Sequence, residues 1–395
     1  MAKICFLLTT TPWDDRRQIY RQAPALAADG HEVIYMSDDP GEKVTERFTF
    51  APLSARQRRR ARMWGGLNLF RKITKHRPDA VHLCSLEQLP LGLVLKAFTE
   101  IKVIYDCRED MYNSMLYSKP RFPRIIRILL AEGTRFVERL AAMTFDGIVA
   151  SDPAIIAIHS AMPRERKMIF YNTGLLSQFP SAIKPLAPRP YDIALLGGMA
   201  RRSGILVLVD TLRILARRGR KISTLLIGAV ASENLEIINQ MVREEGLEDK
   251  IKITGRIAHL QVPAELAQAK LGMVMLLDLP KFQRNIACKA FEYMASGMPV
   301  ITSDLKPEHL FIKEGYNGLF FEPGNAEAAA DAITTLLDDL DRAQAMGCAG
   351  RKEVEEKWNG EREQEKLRLF YRQILRTRGR RVKIEAENTL GYRAT

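Results

Sequence analysis

The feature that most constrains the fold is an alternation of short apolar segments with amphipathic segments, which runs through the chain twice. In the first series, strand-like segments such as 3–9 and 102–106 alternate with helix-like segments such as 17–29. A second series of the same kind begins at Tyr191. Alternating strands and helices predict a parallel sheet with helices on both faces. We therefore expect the α/β class, with two Rossmann-like, doubly wound domains in series.

A proline-rich segment separates the two series. Residues 172–190 contain four prolines and no amphipathic period, which is typical of a connection between domains. After the second series, 358–375 has the pattern of a last helix. The predicted division is an N-terminal domain at 1–180, a linker at 181–190, a C-terminal domain at 191–357, a final helix at 358–378 and a poorly ordered basic tail at 379–395.

The composition is that of a globular protein, with 46% hydrophobic and 27% charged residues. No apolar segment approaches the roughly 20 residues of a membrane-spanning helix, and the N-terminus has no basic leader. The five cysteines are scattered without a CxxC spacing, so neither a zinc site nor a disulfide framework is indicated. These features favour a cytoplasmic protein.

The net charge of +13 is concentrated in patches, of which 56–62 is the densest. Such patches favour anionic partners, with a solvated basic face as the alternative. Residues 123–142 form a predicted helix with an apolar and a basic side, a pattern that suits either an anionic membrane surface or packing on a sheet. We expect peripheral binding to the inner face of the membrane. Nucleic acid is not an expected partner, because no aromatic residues alternate with the arginines.

The most informative single motif is 289–304, which predicts a helix, a glycine stop and a short buried strand. Lys289 and Glu292 are three residues apart and share one face of that helix. A carboxylate accepts hydrogen bonds from two neighbouring hydroxyls, and a lysine balances a diphosphate. The pair therefore predicts a nucleotide site, with an ordinary surface ion pair as the alternative.

A glycine-containing loop at 197–204 follows the first strand of the second series. Gly198 lets a ligand approach the backbone, and the start of the next helix offers free N–H groups to an anion. Arg201 or Arg202 would add a bidentate phosphate contact. The loop predicts a phosphate site, and the alternative is a plain strand–turn–helix with two solvated arginines.

Polar side chains also follow the strands of the first half, at the sheet edge where parallel sheets bind ligands. Asp15 and Arg16 follow the first strand and are predicted to face a cleft, and His82 lies near the end of a later strand. Glu109 and Asp110 follow the next strand. Because a carboxylate or imidazole in a cleft can orient or deprotonate a hydroxyl, Glu109, Asp110 and His82 are the candidate catalytic residues. The alternatives are a satisfied histidine at the sheet end and an acidic loop that is solvated or caps a helix.

Three segments together resemble the glycosyltransferases of the family-4-like group (group 1), which have the GT-B architecture. Residues 14–33 match the family's opening, and 289–304 with 315–325 match its donor-binding half. The resemblance implies two Rossmann-like domains that face a central cleft, with the C-terminal helix crossing back to the N-terminal domain. The N-terminal domain is then the acceptor domain, with Asp15 and Arg16 on the acceptor side, and the C-terminal domain is the donor domain. The resemblance also implies that a UDP- or GDP-sugar donates its sugar, with retention of configuration, to a hydroxyl of a glycan, a lipid-linked saccharide or a small molecule. No tightly bound cofactor and no metal are then required.

The resemblance also assigns roles to individual residues. Glu292 matches the glutamate that binds the ribose, Lys289 lies toward the diphosphate or the base, and Arg256 belongs to the segment that holds the base. Two positions depart from the family pattern: Arg284 stands where many members have a second glutamate, and Lys306 lies in a loop where many have two glycines. Lys306 would replace the charge that such a loop supplies through its backbone.

Two alternatives keep the fold but change the function. A sugar-nucleotide epimerase needs several acid and base groups around the sugar, and the second half of the sequence contains few of them. A catalytically decayed scaffold protein is the other alternative. Arg284, and Ser203 at the position of the usual phosphate-binding cation, would mark that decay.

Overall fold

Two parallel β-sheets organise the chain, one in each half. The computed structural model describes residues 1–10, 15–37, 48–53, 66–117 and 122–376. The predictions for the arginine cluster at 56–62 and for the tail at 379–395 fall outside these ranges. The predicted α/β class is confirmed by the two sheets and the helices around them.

The N-terminal sheet has seven strands, all paired in parallel. They are β1 (Lys3–Leu7), β2 (Glu32–Met36), β3 (Thr49–Phe50), β4 (Ala80–Leu83), β5 (Lys102–Cys107), β6 (Gly147–Ala150) and β7 (Lys167–Ile169). Their order across the sheet is β3-β2-β1-β4-β5-β6-β7. Strand order reverses between β1 and β4, which is where open α/β sheets bind ligands. The edge strand β3 is not predicted from the sequence, because two residues show no periodicity.

The C-terminal sheet has six strands, again all parallel. They are β8 (Tyr191–Leu196), β9 (Thr224–Ile227), β10 (Ile251–Ile253), β11 (Ala269–Val274), β12 (Val300–Ser303) and β13 (Gly318–Phe321). Their order is β10-β9-β8-β11-β12-β13, so the reversal lies between β8 and β11. The loops that follow these two strands are therefore placed to bind a ligand.

Helices cover both faces of each sheet. The helices of the N-terminal half are α1 (Ala23–Ala28), α2 (Gly66–Lys75), α3 (Leu89–Phe98), α4 (Met111–Tyr117), α5 (Arg124–Thr144) and α6 (Pro153–Ile158). Those of the remainder are α7 (Ile205–Arg217), α8 (Ser232–Glu245), α9 (Val262–Leu266), α10 (Lys289–Ala295), α11 (Ala326–Asp338), α12 (Leu340–Glu356) and α13 (Gly360–Arg376). Along β1, Cys5 packs into the core on one face of the sheet and Ile4 into the core on the other. Burial on both faces explains why the strands are almost wholly apolar.

Helix α12 is not predicted by the sequence patterns, because Gly347 and Gly350 in its interior disfavour a helix. In the structure these glycines allow α12 to pack directly against the end of α10. A Cβ on Gly347 would lie 2.2 Å from the carbonyl oxygen of Gly297, and one on Gly350 would lie 3.1 Å from the Met294 side chain. Tertiary packing thus outweighs the low helix propensity of both glycines.

The final helix α13 crosses back to the N-terminal domain, as the resemblance implied. Phe370, Tyr371 and Ile374 are buried in the same core as residues of β1. The fit on the sheet is close, since a Cβ on Gly147 in β6 would lie 2.5 Å from the Ile374 side chain. Apolar packing therefore holds the C-terminal helix on the N-terminal domain.

Helix α5 exposes its apolar side instead of burying it. Ile125, Leu129 and Phe136 are 72%, 67% and 63% exposed, whereas small residues such as Ala131 and Ala141 contact the domain. Packing on the domain therefore accounts for these small residues and for Val137, but not for the three exposed ones. Among the described helices, none is both long and apolar enough to span a membrane.

We expect Gly347→Ala to lower the free energy of unfolding by about 1–3 kcal/mol, because its Cβ forces two backbone segments apart. The matched control is Gly133→Ala in α5, where a Cβ meets no atom within 4 Å and should stabilise the helix by about 0.5–1 kcal/mol. Calorimetric melting of both variants gives the comparison. Shifts of the same sign would contradict the packing described here.

Candidate functional site

The two domains meet at a cleft, where ion pairs join their loops. Lys281 Nζ lies 3.1 Å from Glu109 Oε1, and Arg284 Nη1 lies 2.5 Å from Asp110 Oδ2. These four residues and Arg202 help to line a cavity of ≈ 370 Å³. The cleft therefore brings together candidate residues from both halves of the sequence.

Glu292 lies on α10 and faces the N-terminal domain across the cleft. Its side chain is only 6% exposed. Burial raises the pKa of its carboxyl group, while Arg21 and Arg16 of the N-terminal domain, together with Lys289, oppose that rise. The carboxylate of Glu292 therefore interacts electrostatically with two arginines of the other domain.

The start of α10 places a half-buried lysine near the buried Glu308. Burial lowers the pKa of Lys289 to about 8, and Glu308 and Glu292 oppose that shift. Glu308 accepts a hydrogen bond from Ala287 N at 3.1 Å, its other oxygen has no partner among the described residues, and burial raises its pKa to about 8. Glu308 was not predicted from the sequence. The signal was available, because an acidic residue shortly after β12 lies at the sheet edge where parallel sheets bind ligands. Lys306, in the same loop, is exposed.

The loop after β8 approaches the neighbouring backbone closely. Gly204 has a φ of +81°, and a Cβ there would lie 1.7 Å from the carbonyl oxygen of Met275. A side chain at this position would therefore displace the loop from β11. Gly198 is exposed in the same loop, which leaves its backbone accessible next to the start of α7.

The two arginines of this loop lie in different surroundings. Arg202 lines the cleft cavity. Arg201 Nε lies 3.7 Å from Glu233 Oε1, and both side chains are exposed. The structure therefore brings Arg202 to the cavity, whereas Arg201 forms a surface ion pair.

The loop after β10 contacts the N-terminal domain through aromatic rings. The ring centroids of Tyr20 and His259 are 5.8 Å apart. Burial, with smaller effects of Arg16 and Arg21, lowers the pKa of His259 to about 3, so the imidazole is neutral. Neither of its ring nitrogens has a hydrogen-bond partner in the part of the chain that the structure describes. Arg256 is exposed in the same loop. Sequence reasoning missed His259 and Arg21, since neither belongs to a recognisable motif.

His82 is buried below the cleft and does not line it. Its side chain has no exposed surface, Nδ1 lies 2.6 Å from Tyr371 Oη, and Nε2 lies 3.6 Å from Asp106 Oδ2. Burial lowers the pKa of His82. Our expectation that this imidazole faces the cleft is wrong, because the side chain turns to the face of β4 that the crossing helix α13 covers.

Asp106, at the end of β5, is the centre of a buried polar network. Arg17 donates to both of its carboxylate oxygens at 2.8–3.0 Å, to Phe170 O at 2.6 Å and to Asn172 Oδ1 at 2.8 Å. Burial opposes the ionisation of Asp106, but Arg17 and His82 outweigh it and hold the pKa of the carboxyl well below its usual range. The network therefore ties the end of β5 to the segment that directly follows β7.

The remaining acidic candidates are engaged by partners at the cleft edge. Arg108 donates to the two carboxylate oxygens of Asp15 at 2.8 and 2.9 Å. Asp110 accepts a hydrogen bond from Asn113 N at 3.0 Å at the start of α4, in addition to its ion pair across the cleft. Asp110 is therefore both a helix-capping residue and a cleft residue. Arg16 is exposed beside Asp15.

Comparison with known proteins identifies the family. The model described as "Glycosyl transferases group 1" matches residues 190–339, and the one described as "Glycosyltransferase Family 4" matches 16–173. The chain belongs to the group 1, family 4 glycosyltransferases. The two matched segments of this glycosyltransferase-family protein carry the two sides of the cleft.

Solved structures share the fold over nearly the whole chain. The sucrose-phosphate synthase from Thermosynechococcus elongatus has a TM-score of 0.73 at 20% identity, over 95% of this chain and 99% of its own. Anabaena HepE in complex with UDP and glucose has a TM-score of 0.71 at 16% identity, over 94% and 100%. At these identities the likeness shows the fold alone. The predicted GT-B architecture is confirmed.

Curated relatives match over a shorter part. A GDP-mannose-dependent alpha-(1-6)-phosphatidylinositol monomannoside mannosyltransferase from Mycobacterium tuberculosis is 28% identical over 193 residues, which are 47% of this chain and 48% of the relative. The alpha-D-kanosaminyltransferase of Streptomyces kanamyceticus is 26% identical over 151 residues, or 38% and 37%. The chain thus spans about half the length of these relatives, or less.

We expect Asp106→Asn to lower the free energy of unfolding by about 3–5 kcal/mol, because Arg17 is left as a buried charge without its counter-ion. The matched control is Asp304→Asn, whose ion pair with His309 is exposed on both sides and should contribute less than about 1 kcal/mol. Urea unfolding at neutral pH measures both. Equal losses would contradict the importance of the buried pair.

The same carboxyl predicts a sensitivity to acid. Because the folded-state pKa of Asp106 lies below the unfolded value of about 3.9, its stabilisation is complete above that value and is lost as the pH falls toward the folded pKa. Wild type should therefore lose stability more steeply than Asp106→Asn between about pH 5 and pH 2. If both proteins lose stability equally as the pH falls, the pKa of Asp106 is not depressed in the folded state.

Proposed function

We propose that this protein moves a sugar from a nucleotide diphosphate sugar to a hydroxyl acceptor. The observation that carries the proposal is Glu292, a buried carboxylate that interacts electrostatically with two arginines of the other domain. A carboxylate in this position suits the two neighbouring hydroxyls of a ribose. Membership of the group 1 glycosyltransferases supports the reaction class.

In the proposed complex, the donor lies along the C-terminal side of the cleft. The ribose binds Glu292, the diphosphate lies between Lys289 and Arg202 near the backbone of Gly198, and the base lies toward Arg256. An anion beside Lys289 favours the charged ammonium, which offsets the effect of burial on that group. UDP and GDP are the proposed nucleotides: HepE was solved with UDP, and the M. tuberculosis relative is named as GDP-mannose-dependent.

Electrostatic stabilisation of the leaving diphosphate is the proposed basis of catalysis. Lys289 and Arg202 supply positive charge, and Arg21 adds charge from the facing domain, so the proposal needs no catalytic metal. The anomeric configuration of the transferred sugar is retained, and the departing phosphate takes the proton of the acceptor hydroxyl. Glu109 and Asp110 then orient the acceptor. If the anomeric configuration is inverted instead, one of these two carboxylates acts as the base that deprotonates the acceptor hydroxyl.

The acceptor is proposed to enter from the N-terminal side of the cleft. Arg16 is exposed there, next to the ion pair of Asp15 with Arg108. The cross-cleft pair of Asp110 with Arg284 borders the cavity and sets the direction of that carboxylate. His82 is proposed to act only through Asp106, as a positioning residue.

We also propose that α5 binds an anionic membrane surface and that the acceptor is lipid-linked. The helix exposes Leu129 and Phe136 together with Arg135 and Arg139, and an interfacial helix needs both apolar and basic side chains. Helix α5 follows α4, which lines the cavity, so membrane binding would hold the cavity near its acceptor. The M. tuberculosis relative is named for phosphatidylinositol monomannoside.

We expect UDP or GDP to raise the melting temperature of the wild type more than ADP or CMP, because a bound ligand stabilises the folded state. Glu292→Gln should weaken binding of that nucleotide about 10–100-fold, since hydrogen bonds to a charged group contribute about 1.5–3 kcal/mol. Thermal shift and calorimetric titration measure both effects.

The matched control is Glu236→Gln, an exposed glutamate on α8 of the same domain, which should bind as the wild type does. A wild type that responds to no nucleoside diphosphate would favour the scaffold alternative. Conversion of a nucleotide sugar without any acceptor would favour the epimerase.

Vesicle sedimentation tests the membrane proposal separately. Leu129→Ser should reduce partitioning into phosphatidylglycerol vesicles about tenfold, because burial of a leucine contributes about 1.5–3 kcal/mol, and added salt should weaken binding further. Leu369→Ser, an exposed leucine on α13, is the control. Equal partitioning of the two variants would remove α5 from the proposal and leave the transferase activity untouched.

A further inference from the structure

Three buried side chains with metal-binding chemistry converge inside the N-terminal domain, away from the cleft surface. Cys107 ends β5, Glu138 lies in α5 and His159 follows α6. One ligand atom of each lies within 4.8 Å of the others. Each of the three residues is at most 3% exposed. The proposed transfer reaction uses none of them.

Glu138 lacks a cation to balance its charge. Its carboxylate lies 3.4 Å from the Tyr105 hydroxyl and 3.9 Å from Cys107 Sγ. No ion pair to Glu138 occurs among the residues that the structure describes. Because glutamate is almost never fully buried without a partner, and burial of a charge without one is costly, this position needs either a proton or a positive ion.

His159 adds a second unsatisfied group to the same place. Its Nε2 is buried and has no hydrogen-bond partner in the described part of the chain, and its ring packs edge-on against Tyr105. Buried polar atoms without partners are rare in proteins, and a bound ion can supply the contact that such an atom lacks. A single ion in contact with all three side chains would satisfy both Glu138 and His159.

We propose that Cys107, Glu138 and His159 form a structural binding site for a divalent metal ion, and that the ion is Zn²⁺. Thiolate, imidazole and carboxylate are the ligands that zinc takes in proteins, at about 2.0–2.3 Å. Ligand atoms less than 4.8 Å apart reach those distances through small side-chain movements. The Tyr105 hydroxyl supplies the outer hydrogen bond that orients the carboxylate.

Binding is coupled to proton release. The ion replaces the thiol proton of Cys107 and the carboxyl proton of Glu138, and both protons pass to solvent. Because the ion competes with these two protons, its binding weakens in acid.

The metal site would stabilise the loop of Glu109 and Asp110 from the interior of the N-terminal domain. The loop with Glu109 and Asp110 directly follows Cys107 at the end of β5, and Ser151 Oγ donates to the carbonyl oxygen of Arg108 in that loop at 2.9 Å. A metal on Cys107 thus anchors the strand end from which Glu109 and Asp110 project. This role is structural and is separate from the neutralisation of the diphosphate.

Metal analysis of the full chain is the first test. Protein expressed in minimal medium with Zn²⁺, Mn²⁺, Fe²⁺ and Co²⁺, and purified without an affinity tag, should contain one zinc per chain after dialysis against a weak chelator. Protein loaded with Co²⁺ should show thiolate-to-cobalt charge-transfer absorption. Neither readout depends on glycosyl transfer, so failure of the proposed function leaves the test intact.

Ligand variants assign the site. Cys107→Ser should abolish the charge-transfer band, and Glu138→Gln and His159→Gln should each weaken Co²⁺ binding at least about tenfold. The control is Cys5→Ser, a buried cysteine in β1 outside the cluster, which should keep the metal. Circular dichroism verifies that each variant is folded.

The opposite result is equally clear. If the wild type contains no stoichiometric metal and gives no charge-transfer band with Co²⁺, Glu138 is held as a neutral acid and the proposal is overturned. Glu138→Gln, which is isosteric with that acid, would then melt at the same temperature as the wild type. A metal that remains in all three ligand variants would overturn the assignment to these residues.

Discussion

The buried ion pair between Arg17 and Asp106 is the interaction on which the N-terminal side of the cleft depends. Two charges with almost no exposed surface are stable only when their hydrogen bonds are complete. Arg17 meets this condition through the carbonyl of Phe170, and Asp106 meets it through the Gln18 amide, with His82 Nε2 at 3.6 Å. His82 in turn contacts the crossing helix through a tyrosine hydroxyl. One carboxylate thereby connects β5, the segment that follows β7 and the final helix.

The C-terminal side depends on close packing around a short helix. Helix α10 has seven residues, and the interior glycines of α12 let that helix contact its end. Tyr293 adds two hydrogen bonds, since its hydroxyl accepts from Leu196 N at 2.7 Å and donates to Met273 O at 3.0 Å. Lys289 and Glu292 therefore project from a helix that is fixed on several sides. Their burial, which this packing causes, is the source of their shifted pKa values.

Much of this arrangement can be predicted from the sequence. The rest depends on contacts between elements that are distant in the sequence. Strands buried on both faces leave apolar runs, so all of them except the two-residue β3 are predictable. The Lys289 and Glu292 pair is also predictable, because three residues of helix place both on one face. Glu308 and His259 are not, because each joins the cleft only through contacts with a distant element. The proposed metal ligands come from three separate elements, so their spacing resembles no metal-binding motif.

The sequence by itself determined the alternation of strands and helices, the division into two domains and the shared face of Lys289 and Glu292. These are local properties, since a helical or strand period is set within a few residues. Only the tertiary structure decided that His82 turns inward, that Arg202 lines the cavity while Arg201 does not, and that α5 exposes its apolar side. The reason is that burial depends on which other element packs against a residue, and periodicity describes one element alone.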